Sequence, residues 1–195
     1  MSYPGKAIQA ALSKTRLAGE GQLKEIGAGY TLFWSGRNVK ERRESGMGFA
    51  MKNCLVSKLA SLPQNINDRL MTLRLPLTSK QHVTIINAYA PTMTNPEEVT
   101  ERLYDDLDKL IRSVPRNEKL FILGDLNVTT DQTIWGDVNG VRKCNSNGLM
   151  LLITCAVYEL LIKNTVFHLP HRNRTSWMHP RSRHWHLIDF IQKEG

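Results

Sequence analysis

Gly124-Asp125-Leu126-Asn127 follows directly on four consecutive apolar residues, Leu120 to Leu123. An apolar run of that kind reads as a strand buried on both faces. The carboxylate and the amide would then stand where a strand reaches the rim of its sheet. Spaced two apart, Asp125 and Asn127 project to one side of an extended chain. A carboxylate there can act as a general base or a metal ligand, and an amide can orient a phosphate or a water. The same four residues also suit a plain turn, since Gly, Asp and Asn all favour turns. Tyr89, in N-A-Y-A-P (Asn87 to Pro91), closes another strand-like run. Its hydroxyl can donate to a phosphate oxygen, or the ring can simply pack with the hydroxyl at the surface. Asp189 lies inside the apolar stretch H-L-I-D-F (His186 to Phe190). A buried carboxylate there needs a metal or a hydrogen-bonding partner.

A second chemical feature is the segment from His168 to His186. It holds five of the six histidines and four arginines, Arg172, Arg174, Arg181 and Arg183, with no acidic residue. Trp177 and Trp185 are interleaved with them. Cations alternating with aromatic rings suit phosphate contacts and base stacking, and a solvated basic loop is the plainer reading. The histidine spacing matches no standard zinc pattern.

The elements that must position these residues are short. Tyr30 to Trp34, Met47 to Met51, Arg69 to Leu75 and His82 to Ala88 read as strands, with Met71, Leu73 and Leu75 on one face of theirs. A helix is expected with Asn95 as N-cap and Pro96 at its first position, its apolar stripe formed by Val99, Leu103, Leu107, Leu110 and Ile111. A second helix opens near Ser146 or Asn147. It runs as a buried helix through Ile162, with Leu149, Leu152, Ile153, Ala156 and Leu160 on its inner side. Late strands are expected at Thr175 to Met178 and Trp185 to Ile191. Many strands with few helices predict sheets packed on each other with helices outside. The 195 residues fit a single domain, and 41% hydrophobic with 23% charged residues is an ordinary globular balance. The net charge of +8 favours polyanionic partners. Cys54, Cys144 and Cys155 are far apart and odd in number, so no disulfide partner is expected and an intracellular, reducing compartment fits best. No apolar window is long enough to span a bilayer, and the first residues lack the apolar core of a secretory signal.

In order along the chain, A-L-S-K-T-R-L (Ala11 to Leu17), G-A-G-Y-T-L-F-W-S-G-R (Gly27 to Arg37), N-A-Y-A-P-T (Asn87 to Thr92), L-G-D-L-N (Leu123 to Asn127), N-S-N-G-L-M-L-L (Asn145 to Leu152) and T-S-W-M-H-P-R-S-R-H-W-H-L-I-D-F (Thr175 to Phe190) resemble the endonuclease/exonuclease/phosphatase superfamily. The resemblance is to the abasic-site-like endonuclease domain of RTE-class retrotransposons in particular, and it covers the chain from about Ala11 to Phe190. It implies an α+β fold, a four-layer αββα sandwich of two mainly antiparallel sheets, here incomplete at both ends. It implies phosphodiester hydrolysis with Mg2+ or Mn2+. The catalytic roles fall on Asp125 (activating water), Asn127 (positioning the phosphate), Tyr89 (phosphate or leaving group) and Asp189 (orienting a histidine). Thr175 and Trp177 match a strand beside the site, and Arg172, Arg174, Arg181 and Arg183 would face DNA. A nuclear location is implied in the same way.

The departures from the pattern are specific. Lys14 stands where the resemblance implies a metal-binding Glu, so Asp125 is left as the metal-ligand candidate. A Ser-Asp-His segment expected after Asp189 has no match, because the chain diverges over residues 191–195. The loss of that strand is expected to leave a sheet edge or a groove near Asp189. Hydrolysis is accordingly expected to be impaired or lost, with a non-catalytic nucleic-acid or protein-binding domain as the alternative. Lys14 is expected either to serve as an internal counter-ion to Asp125 or Asp189 or to reach out to water with its stem lying on the sheet. If the basic segment holds DNA, replacing Arg172, Arg174, Arg181 and Arg183 with Ala will weaken binding. It will also flatten the salt dependence by roughly one unit of slope per lost phosphate contact. Titrating a labelled duplex at several salt concentrations checks this.

Overall fold

The computed structural model describes residues 8–78, 80–128 and 144–162, and the strand backbone at 177–178, 185–186 and 192–194. Strands β1 (Ile8–Ser13), β2 (Glu20–Glu25), β3 (Tyr30–Ser35) and β4 (Met47–Lys52) make an antiparallel sheet in the order β1-β4-β3-β2. The short helix α1 (Asn53–Val56) leads to β5 (Gln64–Asn67), β6 (Leu70–Pro76) and β7 (His82–Tyr89). Helix α2 (Glu97–Ser113), β8 (Lys119–Asp125), helix α3 (Ser146–Val157) and β9 (Leu160–Ile162) follow. The remaining strands are β10 (Trp177–Met178), β11 (Trp185–His186) and β12 (Gln192–Glu194). The second sheet has the order β5-β6-β7-β8-β12-β9. Its pairings are antiparallel except β7 with β8, which run parallel. Parallel neighbours need a crossover, and α2 lies on it.

Period-two alternation decides which residues meet between the sheets. Phe33, Met47, Phe49 and Met51 from the first sheet pack on Met71, Leu73, Leu75, Val83 and Ile85 from the second. The alternate residues of the second sheet face the other way. Leu70, Ile86, Leu120 and Ile122 pack on Leu103, Leu107 and Ile111 of α2 and on Leu151 and Cys155 of α3. Described residues therefore build three layers: sheet, sheet and helices. This is an α+β arrangement of two mainly antiparallel sheets. The fourth, helical layer of the expected αββα sandwich is not among them. Tyr30, Leu32 and Trp34, on the outer face of β3, are half-buried. Among the described residues no helix is long and apolar enough to cross a membrane.

Strand and helix expectations hold best where one face alone is apolar. The α2 stripe is buried at Leu103, Leu107 and Ile111, but the helix starts one residue later than expected. Pro96 occupies the N-cap, while the Asn95 side chain accepts from Thr92 N and Oγ1 at 3.1 and 3.0 Å. The expected long buried helix through Ile162 is corrected. Helix α3 stops at Val157, the chain turns at Glu159 with φ 53°, and Leu160–Ile162 is a strand. Of the expected inner side, Leu149 and Ile153 are exposed, and the buried positions are Asn147, Gly148, Leu151 and Cys155. Apolar residues stand on every side of this helix, so periodicity could not choose its inner face. Gln192–Glu194 is inserted between β8 and β9, antiparallel to both, so residues 192–194 form an interior strand; the edge or groove expected near Asp189 lies outside the described residues. The β10–β11 ribbon holds parts of both expected late strands; their other residues lie outside the described ones.

One buried carboxylate locks the helical side of the second sheet. Glu118, at the start of β8, is 5% exposed, pairs with Arg74 of β6 and accepts from Thr84 Oγ1 of β7 at 3.0 Å. The Arg74 hydrogen bond holds its carboxyl below the usual range, outweighing burial. A lowered folded pKa means stabilisation that is present above the ordinary glutamate value of about 4.3 and is lost as pH falls through the lower folded value. Glu118→Gln should lower the Tm by roughly 3–8 °C at neutral pH. The gap to the unaltered chain should close in acid, as thermal melts across pH will show.

Candidate functional site

In the β7–β8 ladder Tyr89 is the register partner of Asp125. Both strands reach their C-terminal ends there, and both side chains belong to the set facing the first sheet. The chain then leaves the strand abruptly. Asn127 has φ 47°, its backbone N donates to Asp125 Oδ1 at 3.0 Å, and its Nδ2 donates to Ala90 O at 2.6 Å. The extended geometry expected for Asp125 and Asn127 is thus replaced by an Asx-type turn, because the asparagine tolerates the left-handed conformation. The residues still share one rim. One amide N–H of Asn127 is committed to fixing the strand end.

Several polar groups hold this rim, and none was singled out from the sequence for a role. Asn87, fully buried on β7, donates from Nδ2 to Leu12 O of β1 and Gly48 O of β4 at 3.0 and 2.9 Å. It therefore ties the two sheets together two residues from Tyr89. Asp125 N donates to Ser13 Oγ at 3.3 Å, bringing the end of β1 to the end of β8. On the other side, Asn145 caps α3 by accepting from Gly148 N and reaches Asn127 O with Nδ2 at 2.7 Å. Asn147 donates to Pro91 O at 2.8 Å. The N-A-Y-A-P and N-S-N-G motifs thus meet in space, which their separation in sequence conceals.

Beside Tyr89 opens a cavity of about 540 Å3. Lys14, Arg16, Arg42, Arg43 and Arg69 line it, with Glu44 as the one acidic lining residue among the described residues. Lys14 and Arg16 both have φ 57°. Their loop is pinned by Thr15 N to Gly46 O and Arg16 N to Ser45 O, at 3.0 and 3.1 Å. Asp68 secures the neighbouring loop through Arg37 at 2.8 Å and Ser45. Burial pushes the Asp68 carboxyl up, but the Ser45 and Arg37 hydrogen bonds outweigh it and hold it below its usual range.

Of the two expectations for Lys14, the structure has the exposed side chain and not the counter-ion. Its side chain is exposed and lines the cavity, and no ion pair of Lys14 occurs among the described residues. The left-handed backbone at Lys14 turns the chain out of β1. Asp189, Arg172, Arg174, Thr175, Arg181 and Arg183 lie outside the described residues, and of Trp177 only its place in β10 is described. Among the described residues no group of three His, Cys, Asp or Glu is placed to hold a metal ion. At the rim they contribute the single carboxylate of Asp125. With five cationic side chains around the adjoining cavity, these residues do not by themselves fit a divalent cation, which takes several oxygen ligands.

Two packed, mainly antiparallel sheets with helices outside give a fold similar to that of several solved structures, one of them an endonuclease/exonuclease/phosphatase family protein. A 3′ phosphatase, NExo from Neisseria, solved bound to product DNA hairpin, matches with a TM-score of 0.62 at 18% identity, over 94% of this chain and 75% of that one. A humanised TDP2 from D. rerio matches at 0.54 and 12% identity, over 89% and 64% of the two chains. An endonuclease/exonuclease/phosphatase family protein from Leptotrichia buccalis gives 0.51 and 12%, over 85% and 59%. In sequence, the chain is similar to craniofacial development protein 2 of Bos taurus and of Tragulus javanicus, at 34% identity over 128 residues. The match takes in 64% of this chain and spans 22% of the length of those relatives. No family model matches.

Gly124 tests how tightly the rim is built. It has φ 128°, and a Cβ there would lie 2.0 Å from Ala88 O and 2.9 Å from Asn87 Oδ1. Gly124→Ala must push the ends of β7 and β8 apart. It should cost about 2–4 kcal/mol in denaturant unfolding.

Proposed function

We propose that the rim carrying Tyr89, Asp125 and Asn127 is the phosphodiester site of a retrotransposon-derived DNA endonuclease scaffold whose catalysis is impaired or lost. The observation supporting this reading is the register of Tyr89 with Asp125 at the ends of the two parallel strands. In this reading Asp125 takes a proton from the attacking water and Asn127 orients the phosphate. The Tyr89 hydroxyl donates to a phosphate oxygen or to the leaving group, and Asp189 completes the set. Mg2+ or Mn2+ is the cofactor the resemblance implies. No step is assigned to it, because Lys14 stands in place of the implied glutamate and the described residues do not fit it. DNA is the proposed partner and the nucleus the proposed location. A second reading, a non-catalytic nucleic-acid-binding domain on this scaffold, is favoured by the cation-lined cavity beside Tyr89.

Removing members of a catalytic unit lowers rates by about three to six powers of ten. Supercoiled plasmid incubated with the chain and Mg2+ or Mn2+ should therefore show little or no nicking. Lys14→Glu should strengthen Mg2+ binding without restoring it. Nicking by the unaltered chain that stops with a chelator and in Asp125→Ala would uphold the rim as the site and overturn the loss of activity. Nicking indifferent to Asp125→Ala would remove Asp125 from the site.

A further inference from the structure

Arg69 is a cation in the wrong place for a finished protein interior. It is 6% exposed, yet no carboxylate pairs with it among the described residues. Its guanidinium makes one long hydrogen bond, Nη1 to Tyr89 O at 3.4 Å, and stacks on the Tyr89 ring with Cζ 5.2 Å from the centroid. The neighbouring Asp68 is committed to Arg37 and Ser45. A guanidinium carries five N–H donors. No Arg69 nitrogen is shut away from solvent without a partner, so the donors that meet no protein acceptor open on the cavity that the side chain lines, where an oxyanion acceptor has room to enter.

The surroundings define that acceptor. Lys14, Arg16, Arg42 and Arg43 line the same cavity, against Glu44, which is itself paired with Arg42 at 2.9 Å. Lys14 and Arg16 are held there by left-handed backbone, a conformation that non-glycine residues adopt at a cost and that the Gly46 and Ser45 carbonyls fix in place. Thr92 and Thr94 add hydroxyls at the margin. A guanidinium fork matches a tetrahedral oxyanion bidentately, and further cations offset its remaining charge.

Building on the reading of the rim as a phosphodiester site, we propose that this cavity is a phosphate-binding cradle. It takes the phosphate group of a polynucleotide on Arg69, with Lys14, Arg16, Arg42 and Arg43 supplying the charge that a divalent cation would otherwise supply. Phosphate binding by this chain is therefore independent of metal. Terminal monoesters and backbone diesters present the same oxyanion chemistry to the cradle.

The test is fluorescence anisotropy of a short labelled single-stranded oligodeoxynucleotide in excess EDTA, with inorganic phosphate as competitor. The full chain should bind, and inorganic phosphate should displace the strand. The double variant Arg42→Ala/Arg43→Ala, on an exposed loop, should weaken binding about tenfold and flatten the salt dependence by about 1.4 units, as expected for two lost single-strand phosphate contacts. Arg69→Gln should weaken binding further. If that variant fails to fold, the double variant and the competition still decide. Tighter binding of a terminally phosphorylated strand assigns the cradle to the monoester, and equal binding to the backbone; both uphold it. Binding that appears only with Mg2+, resists inorganic phosphate, or keeps its salt slope in the double variant overturns it. Binding in EDTA together with a silent plasmid-nicking assay upholds both the cradle and the loss of catalysis. Chelator-sensitive nicking without binding in EDTA overturns the cradle and the loss of catalysis while upholding the rim as the site.

Discussion

The parallel pairing of β7 with β8 is the constraint on which the rest of the structure depends. Parallel strands cannot be joined by a hairpin, so α2 must cross between them, and its apolar stripe covers the face of the sheet it crosses. The same pairing brings both strands to their C-terminal ends at one level. Antiparallel pairing of these strands would send Asp125 to the far end of the sheet from Tyr89. Because side chains alternate, the register that buries Ile86 and Ile122 beneath the helices also turns Tyr89 and Asp125 toward the first sheet. A slip by one residue would reverse both choices.

That rim is held by amides more than by charges. Asn87 ties β7 to the backbone of β1 and β4, Asn127 ties its turn to Ala90, and Asn145 and Asn147 bring the start of α3 to the same turn. An amide both donates and accepts, so it can satisfy buried backbone carbonyls without adding charge to the interior. The ionised groups collect instead around the adjoining cavity, where their sign is nearly uniform. Among the described residues the cavity wall is rich in cations and poor in carboxylates, which is the ground for the proposed anion site.

Legibility followed the physics of each element. The buried strand from Leu120, the alternating strand from Met71 to Leu75 and the amphipathic α2 were readable because burial of one face imposes a period on neighbouring residues. The start of α3, expected near Ser146 or Asn147, falls at Ser146, with Asn145 as a cap that the sequence reading had not singled out. Its inner face was not readable, because Leu149, Ile153 and Val157 are as apolar as the buried Leu151 and Cys155. The Gly124 to Asn127 segment was read both as a strand end with polar groups at the rim and as a turn. The structure makes it both: Asp125 closes the strand and Asn127 makes the turn.

The sequence by itself determined the fold class, the strands that carry Tyr89 and Asp125, and a surplus of positive charge that has to sit somewhere. Those properties are local or compositional, and each residue reports them through its immediate neighbours. Only the tertiary structure decided that Arg69 lies buried against Tyr89, with no carboxylate paired to it among the described residues. It alone brought Lys14, Arg16, Arg42 and Arg43 to the same cavity, and decided between the two places open to the Lys14 ammonium. Those contacts join loops after β1, before β4 and before β6 that are far apart along the chain. The sandwich brings them together by packing one sheet on the other, and no pattern of neighbouring residues encodes that meeting.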